Sequence, residues 1–213
     1  MKQSLFVGIT AIILLTSINA FSAPEPAIVP GANQWTLDIV FTQPQQIVVK
    51  VPGERAPQRF WYIIITVNNN CGKEVPFYPG CELVTDTSQI IPAYKDTRNI
   101  VFDKIKRRHK GKYPFLESLE LADNKILQGQ DNSKDLAIIW PDFDAKARDI
   151  SLFLAGLSNE TAVVEHPTKK DADGNPEKFY LRKTLELQYS IGGDESLRKS
   201  GRLVYKGKRW VMR

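Results

Sequence analysis

Residues 59–86 read RFWYIIITVNNNCGKEVPFYPGCELVTD and combine the strongest strand signal of the chain with both of its cysteines. In an extended strand, alternate side chains point to opposite faces. One face carries Trp61, Ile63, Ile65 and Val67, and the other carries Tyr62, Ile64 and Thr66. Because both faces are largely apolar, the pattern predicts a central strand. The three asparagines at 68–70 favour turn conformations and are expected to end it.

A second alternating stretch precedes this strand. Trp35, Leu37, Ile39 and Phe41 share one face, while Thr36 and Asp38 occupy the other. Such alternation indicates a strand with one face on the core. We therefore expect Trp35, Trp61, Ile63 and Ile65 to be core residues.

Further strand patterns follow, separated by breaks rich in Gly, Pro and Asp. They lie at residues 136–140, 150–157, 161–165, 179–190 and 202–212. The segment 179–190 alternates throughout except at Lys183. We expect eight to nine strands in an all-β, antiparallel Greek-key β-sandwich, in preference to a closed barrel or a parallel sheet.

Two groups of motifs resemble known proteins. WYIIITVNNNCGKEVPF followed by CELVTD is similar to the core of immunoglobulin-like or fibronectin-III-like domains of exported bacterial proteins. AIIWPDFDAKARDISLFLAGLSNETAVV and LRKTLELQYS resemble an uncharacterised exported family. The resemblance implies an immunoglobulin-like sandwich and supplies no functional residues. Two distant core cysteines that bracket a Trp are missing, since Cys71 and Cys81 both follow Trp61.

The segment from Ala93 to about Asn132 interrupts the strand patterns and is predicted to be an insertion. Within it, residues 97–110 fit a helix, because Val101 and Ile105 are spaced at i,i+4. Thr97 is the expected N-terminal cap, and Gly111 follows as a stop.

The N-terminus has the layout of a secretory signal peptide. Lys2 precedes an apolar run at 5–15, which is followed by small and polar residues. The run is too short to span a bilayer, although an uncleaved anchor is an alternative. We predict a signal peptide at 1–22, a flexible leader at 23–33, and a single β-sandwich domain at 34–213, with two small domains as the alternative.

Charge and localisation follow from that cleavage. The whole chain has a net charge of +5, and removal of residues 1–22 takes away one lysine and no acid, leaving +4. This mild excess favours anionic surfaces but does not require nucleic acid. We expect an exported chain, periplasmic or extracellular, with no transmembrane segment after maturation.

The two cysteines, Cys71 and Cys81, have three interpretations. Export to an oxidising compartment favours one structural disulfide between them. Free or metal-binding thiols and a redox role are the alternatives. Their spacing does not match a CxxC redox pair, and neither histidine is at zinc-ligand spacing from them.

A basic run at 104–112 is the densest charge feature. The residues proposed to bind an anionic ligand are Lys106, Arg107, Arg108 and Lys110. Alternatively, these cations complement the helix dipole and stay solvated. Aromatic residues between the cations, which would favour nucleic acid, are limited to Tyr113.

Two acidic motifs are candidate sites. Asp142 and Asp144, beside Phe143, suggest a paired-carboxylate hydrolase acting on carbohydrate, or simply a turn after a strand. The segment KKDADGNPEK at 169–178 partly resembles a calcium loop but lacks the glutamate at the twelfth position. A turn explains it with fewer assumptions.

No catalytic constellation is recognisable, so the leading prediction is a non-enzymatic exported module. It would bind a ligand or serve a structural role in the periplasm or cell envelope. The expected partner is an envelope protein or an anionic polymer and not nucleic acid, and no metal or cofactor is expected. The alternative is a carbohydrate-active hydrolase that uses Asp142 and Asp144.

Overall fold

The structure of the chain is a computed structural model that describes residues 27–29, 31, 33–193 and 201–213. Its strands are β1 (Ala27–Ile28), β2 (Asp38–Phe41), β3 (Gln45–Val49), β4 (Gln58–Asn68), β5 (Val75–Pro76), β6 (Gly80–Thr85), β7 (Ile90–Pro92), β8 (Glu117–Ser118), β9 (Lys125–Ile126), β10 (Lys134–Pro141), β11 (Asp149–Ala155), β12 (Thr161–Lys170), β13 (Pro176–Ile191) and β14 (Leu203–Met212). One α-helix, α1 (Asn99–His109), lies between β7 and β8. Two short 3-10 helices occupy Leu119–Leu121 and Gln130–Asn132.

The strands form two main sheets, and the predicted all-β, antiparallel class is confirmed. The seven-stranded sheet has the order β1-β12-β13-β11-β6-β7, with β14 also paired to β13. The five-stranded sheet has the order β2-β4-β10-β8, with β3 also paired to β4. Only the two-residue pairing of β8 with β10 is parallel among the described pairings. The strands beyond the expected eight to nine are pieces of two or three residues, too short to show alternation.

The main core lies between the two sheets. Trp61, Ile63 and Ile65 of β4 are buried in one cluster with residues of β6, β11 and β13. The predicted core positions on β4 are therefore confirmed. Trp35 is only partly buried against the same cluster.

A second core covers the opposite face of β4. Tyr62 and Ile64 pack with Val101 and Ile105 of α1, and all four are buried. This explains why β4 is apolar on both faces: one meets the other sheet and one meets the helix. The predicted helix is confirmed, but its predicted cap is wrong. Arg98 is the N-cap residue, and Thr97 instead donates its hydroxyl to the carbonyl of Lys95.

The N-terminal segment contributes one strand. Ala27 and Ile28, inside the predicted leader, pair with Val163 and Ala162 of β12. The predicted signal peptide at 1–22 lies outside the described residues. In the part of the chain that is described, no helix has the length and hydropathy needed to span a membrane.

The predicted disulfide is not formed, because Cys71 and Cys81 are both free thiols. The partly buried Cys71 directs its sulfur to the carbonyl oxygen of Thr36, at 3.4 Å. Cys81 is buried in β6, and burial raises the pKa of its thiol well above the ordinary value, with a further contribution from Glu82. A buried, protonated thiol is a weak nucleophile, so the structure gives Cys81 a packing role.

Candidate functional site

The basic run lies along α1, and two of its cations anchor the helix to the edge strand β3. Lys104 Nζ donates to the carbonyl of Val48 at 2.9 Å, and Arg108 Nη1 donates to the carbonyl of Gln46 at 3.2 Å. Arg108 also reaches the hydroxyl of Tyr62 at 3.3 Å. Carbonyls on the open side of an edge strand have no neighbouring strand to donate hydrogen bonds to them, and these side chains donate instead. Part of the basic run is therefore structural.

The other predicted anion-binding residues lie on the exposed part of the run. Lys106 is 5.8 Å from the ring centre of Phe102. The side chains of Arg107 and Lys110 are exposed and have no hydrogen bond or ion pair within the described ranges. Burial lowers the pKa of His109, and the nearby positive charges of Arg108 and Lys112 lower it further. His109 therefore adds no charge near neutral pH. Its Nε2 instead lies 2.9 Å from the Tyr62 hydroxyl.

This division predicts different effects of removing two neighbouring arginines. Arg108→Gln should lower the free energy of unfolding by about 1 kcal/mol, because two hydrogen bonds to β3 and β4 are lost. Arg107→Gln is the matched control and should change it by less than about 0.5 kcal/mol. Urea unfolding of both variants measures the difference. Equal stability of the two variants would contradict the anchoring role of Arg108.

The two acids proposed for a hydrolase have structural partners. Asp142 Oδ1 accepts from the indole Nε1 of Trp61 at 3.0 Å, and its Oδ2 lies 3.4 Å from Arg59 Nη1. Asp144 Oδ1 accepts from the backbone N–H of Lys146 at 2.9 Å. Asp142 thus satisfies a core indole, and Asp144 shapes the turn after β10.

The segment that partly resembles a calcium loop is the turn between β12 and β13. Asp171 Oδ1 accepts from the backbone N–H groups of Asp173 and Asn175, at 3.0 and 2.9 Å. Gly174 has a φ of +85°, which glycine adopts without strain. Among the residues that the structure describes, no group of three or more His, Cys, Asp or Glu side chains is placed to hold a metal ion.

A groove forms where β11 ends and β12 begins. Both strands pair with β13, and residues 156–160 leave the ladder between them. Gly156, with a φ of +83°, starts this break. A Cβ at this position would lie 2.4 Å from the carbonyl oxygen of Tyr78. Only glycine therefore allows the Tyr78 backbone to pack against the break.

Trp35 and Tyr78 line the cavity of about 340 Å³ at this break. The backbone of Trp35 is held there by hydrogen bonds to Ser158 and Asn159. Its N–H donates to Asn159 Oδ1 at 2.7 Å, and its carbonyl accepts from Ser158 Oγ at 2.9 Å. The side chain of Tyr78 is 72% exposed. Both rings are thus placed where a ligand can contact them.

A second cavity of about 270 Å³ lies on the seven-stranded sheet. Phe153 and Arg213 are among its lining residues, and Arg182 lines both cavities. The Arg213 guanidinium lies 4.3 Å from the ring centre of Phe153. We call the two cavities together the Arg182 groove.

Each acidic residue lining the Arg182 groove is paired with a cation. Glu160 Oε1 accepts from Lys183 Nζ at 2.5 Å, and Glu82 lies 2.6 Å from Arg213. The hydrogen bond from Lys183, supported by one from Thr36, lowers the pKa of Glu160 despite the opposing effect of burial. Glu160 therefore stays ionised near neutral pH and cannot act as a proton donor there.

Arg182 differs from these paired residues. Its backbone N–H and carbonyl exchange hydrogen bonds with Arg213, at 2.7 and 3.0 Å. Its guanidinium is exposed and makes no hydrogen bond or ion pair with any residue in the described ranges. A guanidinium binds carboxylate, phosphate or sulfate groups with two parallel hydrogen bonds. The groove is therefore suited to an anion that also contacts aromatic rings.

The sequence did not predict this groove, because its residues come from five separate segments. The sequence predicts Trp35 in the core and an interruption of a strand at Lys183. In the structure β13 continues through Lys183, whose charge is neutralised by Glu160. The Gly156 to Asn159 segment was the available signal, since Gly, Ser and Asn mark a turn between two strands.

Comparison of the chain with known protein families, with curated proteins and with solved structures found no match.

Proposed function

We propose that the chain is a non-enzymatic, exported binding module of the periplasm or cell envelope. Its ligand is an acidic glycan, held in the Arg182 groove by its negative groups and by the faces of its sugar rings. The fold that serves this role is a Greek-key, immunoglobulin-like sandwich of the kind expected from the sequence.

The observation that carries the proposal is the guanidinium of Arg182, which lines two cavities and has no ion pair or hydrogen bond with the residues that the structure describes. The other charges of the groove compensate one another, since Lys183 pairs with Glu160 and Arg213 with Glu82. An uncompensated cation among paired charges favours an anion in the groove. An acidic sugar provides the anion in a carboxylate or sulfate group.

Aromatic side chains support a saccharide as the carrier of that anion. Trp35 and Tyr78 line one of the two cavities that share Arg182, and Phe153 lines the other. Ligand sites combine such apolar surfaces with a few polar groups that set orientation. Two cavities that share a lining residue also provide space for more than one sugar unit.

The test is a calorimetric titration of the exported, mature protein with tetragalacturonate, an acidic oligosaccharide. We expect Arg182→Gln to weaken binding by about tenfold or more, because a hydrogen bond to a charged group contributes about 1.5–3 kcal/mol. Arg107→Gln, which removes an exposed cation from α1, is the matched control and should bind like the parent. A neutral galactose tetramer should bind more weakly than the acidic probe.

Equal affinity of Arg182→Gln and the parent would reject the groove as the site. If instead replacing Lys106, Arg107, Arg108 and Lys110 by Gln abolished binding, the ligand would lie on the basic run, the second candidate site. The exposed side chains of Arg107 and Lys110 favour that possibility. Binding there should also fall steeply with salt, since exposed charges are screened over about 8–10 Å.

The alternative function is a carbohydrate-active hydrolase that uses Asp142 and Asp144. Asp142 is engaged by Trp61 and Arg59, which leaves its carboxylate committed to a structural contact. Incubation of the protein with tetragalacturonate distinguishes the binding module from the hydrolase. Reducing ends released by the parent, and not by a variant with both acids changed to Asn, would support the hydrolase.

A further inference from the structure

The strand β14 forms an edge of the seven-stranded sheet. It pairs with β13 and, among the residues described, with no other strand. An unpaired edge strand presents a row of N–H and C=O groups that a further strand can pair with. Ten residues, from Leu203 to Met212, are available for such pairing.

The register identifies which backbone groups face outward. Arg182 and Arg213 exchange both of their backbone hydrogen bonds, at 2.7 and 3.0 Å. In an antiparallel pair, alternate residues direct their N–H and C=O groups to the partner, and the residues between them direct theirs away. In the unshifted part of the register, Lys208, Trp210 and Met212 therefore direct these groups away from β13.

The edges at β3, β7 and β8 are short or covered. Along β3, Lys104 and Arg108 bind the carbonyls of the edge. β7 has three residues and ends in Pro92, and β8 has two. The length of β14 and its outward backbone groups favour it as the place for an added strand.

Charge indicates which kind of strand would pair with β14. Residues 202–213 contain five cations and no acid. Arg209 and Arg213 form ion pairs with Glu186 and Glu82, at 2.5 and 2.6 Å. Arg202, Lys206 and Lys208 have no ion pair or side-chain hydrogen bond within the described ranges. Two copies of β14 would bring like charges together, which is unfavourable between neighbouring strands, whereas an acidic segment would be attracted.

Apolar side chains on β14 remain available to the incoming strand. Tyr205 and Trp210 are 37% and 39% exposed. The ring of Tyr205 lies 5.7 Å from that of Phe41, on the facing sheet. A strand added at this edge could therefore bury apolar side chains while its acidic side chains meet Arg202, Lys206 and Lys208.

We propose that β14 binds an acidic, extended segment of a partner protein by strand addition. The backbone groups of the edge supply affinity, and the cations select against a second copy of this chain. The ligand proposed for β14 is a protein segment, whereas the ligand proposed for the Arg182 groove is a glycan. The Lys208 variants therefore test the first proposal, and Arg182→Gln tests the second.

The probe is a fluorescent, capped ten-residue peptide in which glutamate alternates with valine, measured by fluorescence anisotropy at low salt. Lys208→Pro removes an outward N–H without touching the hydrogen bonds to β13. Lys208→Thr is the matched control, because it removes the same charge and keeps the N–H. We expect Lys208→Pro to bind the peptide about tenfold more weakly than Lys208→Thr.

Equal binding by these two variants would overturn strand addition. Circular dichroism checks that Lys208→Pro is folded, and a second probe decides if it is not. A peptide N-methylated at alternate residues cannot complete the ladder, and the parent chain should bind it about tenfold more weakly. Equally tight binding of the methylated peptide would show attraction by charge alone and reject the proposal. A dimer of the parent that Lys208→Pro dissociates would identify a second copy as the occupant and also reject it.

Discussion

Ile65→Ala is expected to lower the free energy of unfolding by about 2–5 kcal/mol, the range for truncating a large buried aliphatic side chain. Ile65 is 1% exposed and packs in the core between the two sheets. Its neighbours Leu136 on β10 and Phe41 on β2 occupy the directly opposed positions in the ladder. Removal of three carbons therefore leaves a cavity that the fixed strands cannot close. Chemical denaturation of the purified variant measures the loss.

Val40→Ala is the matched control for this variant. Val40 lies on β2, beside the same stretch of β4, but it is 65% exposed. Its truncation should change the unfolding free energy by less than about 0.5 kcal/mol. A loss below about 0.5 kcal/mol for Ile65→Ala would show that the assignment of β4 to the core is wrong.

Gly156→Ala is expected to cost about 3 kcal/mol or more, from two separate causes. An alanine at a φ of +83° is strained, and its Cβ would meet the Tyr78 carbonyl oxygen at 2.4 Å. That contact is with backbone, so a side-chain rotation cannot relieve it. Thermal or chemical unfolding measures the total effect.

Gly174→Ala separates the two causes. Gly174 has a similar φ of +85°, but a Cβ there would have no atom within 4 Å. It should therefore show the backbone cost alone, about 1–2 kcal/mol. If both variants lost the same stability, the close approach of Tyr78 to the β11–β12 break would not be a constraint on the fold.

The central strand could be predicted from the sequence because burial of both faces requires a continuous run of apolar residues. Trp61, Ile63 and Ile65 were assigned to the core and are buried there. The helix was located for the same reason, since Val101 and Ile105 repeat at helical spacing and are buried. The sequence did not show that this helix covers the second face of β4, because the contact joins segments about 40 residues apart.

The pairing of distant strands and the geometry of the site could not be predicted from the sequence. β4 pairs with β10 across more than 60 intervening residues, and no local pattern encodes that register. The disulfide predicted between Cys71 and Cys81 is wrong: Cys71 Sγ contacts the carbonyl of Thr36, Cys81 is buried in β6, and both thiols are free. Arg182 has no distinguishing signal in the sequence, because its proposed role depends on the ion pairs that neutralise its neighbours Glu160 and Glu82.

The indole N–H signals of the four tryptophans provide the most direct test of the central claim, that an acidic glycan binds in the Arg182 groove. Trp35 lines the groove, Trp140 is buried in the main core, and Trp210 lies on β14. In a ¹⁵N–¹H correlation spectrum, with Trp35 assigned through Trp35→Phe, tetragalacturonate should shift the Trp35 signal in a saturable way. The Trp140 signal should stay in place, and Arg182→Gln should remove the Trp35 shift. Saturable binding that leaves the Trp35 signal unmoved would contradict the account.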